Sequence, residues 1–125
     1  MIAERLKHDE SVQIDADHVA QLYIDLGAAS AEAVLCKSME DLALGLARIE
    51  RYRSAGSVPE MLETAEKLEV VADRIGLQKL AGVARDVMAC VESGEPTAIA
   101  ATMGRLLRLG DQSLSVFWDP QDMSG

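Results

Sequence analysis

The chain has 125 residues and a net charge of −9, from 12 Lys and Arg against 21 Asp and Glu. That length suits one domain with a real core, and the missing surplus of cations sets nucleic acid aside as a partner. Apolar residues make up 49% but aromatics only 3%, a composition of Leu, Ala, Val and Met that suits packed helices.

In chain order, residues 1–13 mix charges without a period and read as a mobile arm that includes His8. "MIAERLKHDESVQ" has no hydrophobic signal region, and no apolar run approaches the roughly 20 residues of a membrane span. A cytoplasmic location without a membrane partner is therefore expected. "IDADHVAQLYIDLG" follows as a short first helix of the core, with Asp15 as N-cap and Gly27 as its stop. Val19, Leu22, Tyr23 and Leu26 share its apolar face. A second helix is expected from about Ser30 to Ala55, where Leu35, Met39, Leu42, Leu46 and Ile49 are spaced by fours and threes. "SAGS" breaks it.

The third helix starts at "SVPE", with Ser57 as cap, Glu60 completing a capping box and Pro59 in the first turn. Met61, Ala65, Leu68, Ala72 and Ile75 form its inward stripe, and it ends near Gly76. The fourth carries Leu77, Leu80, Ala84, Val87 and Val91 and stops at "ESGEP". The fifth begins at Pro96 with Ile99, Met103, Leu106, Leu114 and Phe117 facing inward. Gly104 and Gly110 predict a kink or break near "LGDQS", where Asp111 and Ser113 could recap the helix. "DPQDMSG", residues 119–125, reads as a frayed tail. No segment reads as a strand, and there is no internal repeat. The pattern predicts an all-α chain, an antiparallel four-helix bundle with a short extra N-terminal helix, occupying residues 14–118.

Cys36 and Cys90 both fall in helical patterns, which makes two inert, mostly buried thiols the expectation rather than a disulfide. Nothing resembles a Gly-rich phosphate loop, a Ser-His-Asp set or a Cys-His pair, so no enzyme chemistry is expected. Asp15-x-x-His18 is the only fragment of a helical carboxylate–histidine metal motif and has no second histidine near it in sequence. Neither metal nor cofactor is expected.

The order of elements and the text "AEKLEVVADRIGLQKLAGVARDV" resemble the histidine-containing phosphotransfer family of two-component phosphorelays, over about residues 14 to 118. That family's signature helix reads roughly A-H-x-L-K-G, followed by a hydrophobic residue, Gly, and Ala or Leu. Ala65, Leu68, Ile75, Gly76, Leu77, Leu80 and Ala81 stand at the matching positions. The departures fall on the chemistry. Glu66 stands where the resemblance implies the phosphoacceptor His, Glu69 where it implies Lys, and Val70 where it implies Gly.

A carboxylate cannot hold a phosphoryl group as a phosphoramidate. Glu69 repels a phosphoryl group that Lys would attract, and Val70 fills space where a partner's backbone would approach. Glu66 is also shorter and less charged than the phosphohistidine it would have to imitate. His18 as a substitute acceptor lacks the flanking Lys and Gly. Lys67 points about 100° around the helix from Glu66 and does not replace the missing Lys. Arg74 is expected in a surface ion pair of little energetic weight.

The resemblance thus implies a non-catalytic phosphorelay protein that binds a response-regulator receiver domain or a histidine kinase through Glu66, Glu69, Val70 and Asp73, with the oligomeric state open. The carboxylates would select a basic partner surface. Two plainer readings stand beside it. The acidic stripe is a solvated helix face, or the bundle is an assembly or dimerisation module whose likeness is architectural only.

Overall fold

The structure, a computed structural model, describes residues 14–118. The arm at 1–13 with His8, the tail at 119–125 and the side chains of Phe117 and Trp118 lie outside the described residues. Among the described residues five helices follow one another: α1 (Ala16–Leu26), α2 (Ala28–Ala55), α3 (Val58–Arg74), α4 (Gln78–Ser93) and α5 (Pro96–Trp118). No strand occurs among the described residues.

The stops are chemical. Gly56 and Gly76 adopt φ of +70° and +80°. In each case the next amide reaches back five residues, Ser57 N to Tyr52 O at 2.9 Å and Leu77 N to Ala72 O at 2.9 Å. That is the Schellman closure, which satisfies carbonyls the helix leaves open. α5 begins on Glu95, whose Oε2 accepts from the amide of Ala98, with Pro96 in the first turn. The capping box expected at Ser57 is not formed, for Ser57 makes no side-chain cap bond. Its backbone, at φ −84° and ψ 84°, serves the preceding Schellman turn, and this departs from the extended form an N-cap needs.

The helices α2, α3, α4 and α5 pack in a closed ring: α2 on α3, α3 on α4, α4 on α5 and α5 back on α2. The stripes at Met39–Ile49, Met61–Ile75 and Leu77–Val91 meet inside it and are buried, joined by Met103, Leu106 and Leu109. Two pairs set the approach of α2. A Cβ on Gly45 would lie 2.6 Å from Leu68 Cδ2, and one on Gly110 only 2.5 Å from Leu46 Cδ1. Contrary to the sequence expectation, α5 therefore runs unbroken through Gly110. The glycine is spent on close packing, and Ser113 bonds back to Leu109 O at 2.8 Å within the helix instead of recapping it.

α1 differs from the core helix the sequence suggested. It has no buried residue: among the described helices it packs chiefly on α2, touching α3 through the His18 bond to Arg74 O, and one main neighbour covers a narrow stripe. Val19 and Leu22 are half-buried, while Tyr23 and Leu26 are exposed. α2 begins at Ala28, two residues before the expected start. Cys36 is exposed instead of buried, because it lies on a different face of α2 from the buried Ala31, Ser38 and Met39; Cys90 is half-buried, and both thiols are free.

Candidate functional site

Position along α3 decides what each acidic residue can do. With Ala65, Leu68 and Ala72 buried, the 100° step per residue turns Glu66, Val70 and Asp73 outward and sets Glu69 toward α4. Glu66 and Asp73 are exposed, and Val70 keeps 51% of its surface, high for a branched apolar side chain.

Glu69 leaves the stripe. Its carboxylate accepts from Arg85 Nη1 on α4 at 2.8 Å, and its side chain is only 25% exposed. The bond to Glu69, with smaller contributions from the charges of Asp73 and Asp86, holds the Arg85 guanidinium above its ordinary value. The three-carboxylate stripe is therefore partly neutralised within the molecule, and Glu66 and Asp73 are its outward charges, neither in an ion pair among the described residues. Arg85 escaped the reading of α3 by itself, although a signal existed. Glu69 and Arg85 each lie eight residues from Leu77, so folding the chain back at the α3–α4 turn brings them level.

On its other side Glu66 borders a groove of about 600 Å³ between α2 and α3. Leu44, Val70 and Val71 supply apolar lining, and Arg48, Lys67 and Arg74 supply positive charge beside Glu60, Glu63 and Glu66. Leu44 is 48% exposed, so Leu44 and Val70 put apolar surface on both helices that flank the groove. Lys67 pairs with Glu63 one turn back at 3.0 Å rather than with Glu66. Arg74 lines the groove and forms no ion pair among the described residues, in place of the expected surface pair.

His18 is tied to the backbone. Its Nε2 lies 2.7 Å from the carbonyl oxygen of Arg74; a carbonyl only accepts, so Nε2 carries the proton. In the neutral ring the lone pair then lies on Nδ1, and the bond fixes the ring's orientation against the end of α3. Among the described residues no three His, Cys, Asp or Glu side chains gather where a metal ion could sit. No described helix is long and apolar enough to cross a membrane.

Among the described residues the protein is all-helical, and α2 and α3 carry a face that mixes apolar and charged side chains. The chain matches no family model, no curated protein and no solved structure.

Proposed function

We propose that the chain is a cytoplasmic, phosphotransfer-inactive relative of histidine phosphotransfer domains, built as an antiparallel four-helix bundle of α2–α5 with α1 as an addition. It binds a receiver domain or a histidine kinase through Glu66, Val70 and Asp73 and the groove beside them. The antiparallel arrangement is supported by contacts that pair residues symmetrically about each turn. Gly45 meets Leu68 across Gly56–Ser57, Glu69 meets Arg85 across Leu77, and Asp86 meets Arg105 across Glu95–Pro96.

One observation carries the functional reading. The position that the resemblance gives to the phosphoacceptor is occupied by an exposed glutamate in the middle of α3, next to exposed apolar residues. An isolated solvated stripe does not require Val70 and Leu44 to stay outside. They are surface that a partner can bury. With Glu69 held by Arg85, the selecting charges are Glu66 and Asp73 on one edge and Arg48 and Arg74 along the groove, so the matching partner surface is mixed in sign rather than purely basic.

The test is titration of the full chain with isolated receiver domains of the same organism, alongside Glu66→Arg and Val70→Asp. Binding that both substitutions weaken, with no phosphate passing to the chain from a phosphorylated receiver, is the expected result. Phosphate recovered on any residue of this chain would overturn the inactive assignment. Binding unaffected by either substitution would move the interface elsewhere.

A second reading rests on α1, where Ile24 is 74% exposed and Leu26 and Tyr23 are also open. That patch is what an assembly or dimerisation module would present. Ile24→Glu separates the two readings, because it dissociates an α1-mediated oligomer in light scattering and leaves receiver binding intact.

A further inference from the structure

We propose that α1 is a hinged strap, which opens from the α3–α4 turn as a unit while α2–α5 stay folded. Its burial points this way first. α2, α3 and α4 each bury five or more residues, whereas α1 buries none. Burial of apolar surface is what ties an element to cooperative unfolding, and α1 leaves Ile24 largely and Leu26 nearly half in water.

What holds α1 to the turn is polar and local. Asp15 N donates to Gly76 O at 2.8 Å, and His18 Nε2 donates to Arg74 O at 2.7 Å. Arg74 O is one of the orphan acceptors a helix offers at its C-terminal end, and Gly76 O lies in the turn just beyond it.

The far end of α1 is a joint. Gly27 has φ 82° and ψ 160°, a region reserved almost wholly for glycine. A Cβ built there would meet nothing within 4 Å, so the glycine serves backbone conformation and not packing. The hydrogen bonds resume at once on both sides, with Gly27 N on Tyr23 O and Ala31 N on Gly27 O, each at 2.9 Å. Rotation is concentrated in this one residue.

Opening alters the end of the face described above. Closed, the carbonyl of Arg74 is filled by His18; open, it is bare, one residue from Asp73. Regulation of partner binding by the strap rests on the docking reading, but the opening itself does not, and the following test reads opening without any partner.

The experiment is native-state hydrogen exchange on the full chain, comparing peptides from α1 and α4. A helix of 11 residues is marginal alone, so once swung away from the turn it frays readily and its amides exchange. In the wild type, α1 amides are expected to exchange about a hundredfold or more faster than those of α4. His18→Ala should speed α1 by about three- to tenfold, the weight of one hydrogen bond, and leave α4 unchanged. His18→Gln, which restores an N–H donor, should recover part of the protection. Gly27→Ala, strained in the closed form, should act like His18→Ala.

Wild-type α1 exchanging at the rate of α4 would overturn the proposal, as would variants that speed both helices equally. A His18→Ala chain unable to fold would overturn it too, because a strap is not needed for the ring to form.

Discussion

Gly76 is held to glycine by two separate requirements. Its φ is +80°, and a Cβ would come within 3.1 Å of the carbonyl oxygen of Asp15. An L side chain in that conformation costs roughly 1–2 kcal/mol by itself, and the neighbour it would strike is backbone, which yields less easily than a side chain. Gly76→Ala is thus expected to lower stability by about 2 kcal/mol or more in urea unfolding, and to loosen α1, whose first residues rest on this turn. Ser38 makes the opposite case. It is fully buried and its hydroxyl has no partner. A buried hydroxyl without a hydrogen bond carries its desolvation cost uncompensated, so Ser38→Ala should raise stability by about 1 kcal/mol. A drop in the urea midpoint would mean that the hydroxyl is satisfied by water.

Two glycines inside α5 look alike in sequence and behave differently in the helix. Gly104 would place a Cβ 3.3 Å from the end of the flexible Arg108 side chain, whereas Gly110 would drive one against three carbons of the buried Leu46. Alanine at 104 gains helix propensity of up to about 1 kcal/mol. At 110 the same gain is outweighed by overpacking of about 1–3 kcal/mol. Thermal unfolding of Gly104→Ala and Gly110→Ala should therefore shift in opposite directions. If both stabilise, α2 and α5 are not in the close contact described. α1 and α3 differ in the same manner. Each shows helical apolar spacing, but α3 has helices on two sides and buries its stripe, while α1 has one and does not.

For the whole molecule the organising fact is the closed ring of α2–α5, which makes every inward stripe serve a shared core and every turn a pairing device. It also explains why a chain of net charge −9 shows a mixed face. Cations are placed beside carboxylates across the turns, Arg85 at Glu69 and Arg105 toward Asp86, while Arg48, Lys67 and Arg74 stand among the exposed carboxylates of the groove. If partner binding uses that face, its affinity should fall only weakly as salt is raised from 50 to 500 mM, because the contacts are part apolar and of both signs. A steep salt dependence would point to a single-sign surface elsewhere.

The sequence by itself determined the five helices, the residues that stop them and most of the core. Glycines able to take positive φ, Pro59 and Pro96 in first turns, and apolar spacing of three and four act within a few residues of chain. It also exposed the register in which Glu66, Glu69 and Val70 stand where a phosphotransfer helix would carry His, Lys and Gly. Only the tertiary structure decided what each face met. Whether Gly110 breaks a helix or seats Leu46, whether Glu69 faces a partner or Arg85, whether Cys36 is covered and whether His18 is free or bound to Arg74 O depend on residues 16 to 64 positions away. Such contacts leave no trace in local periodicity. They arise when the turns fold helices against one another, and there packing decides which of the locally permitted roles a side chain takes.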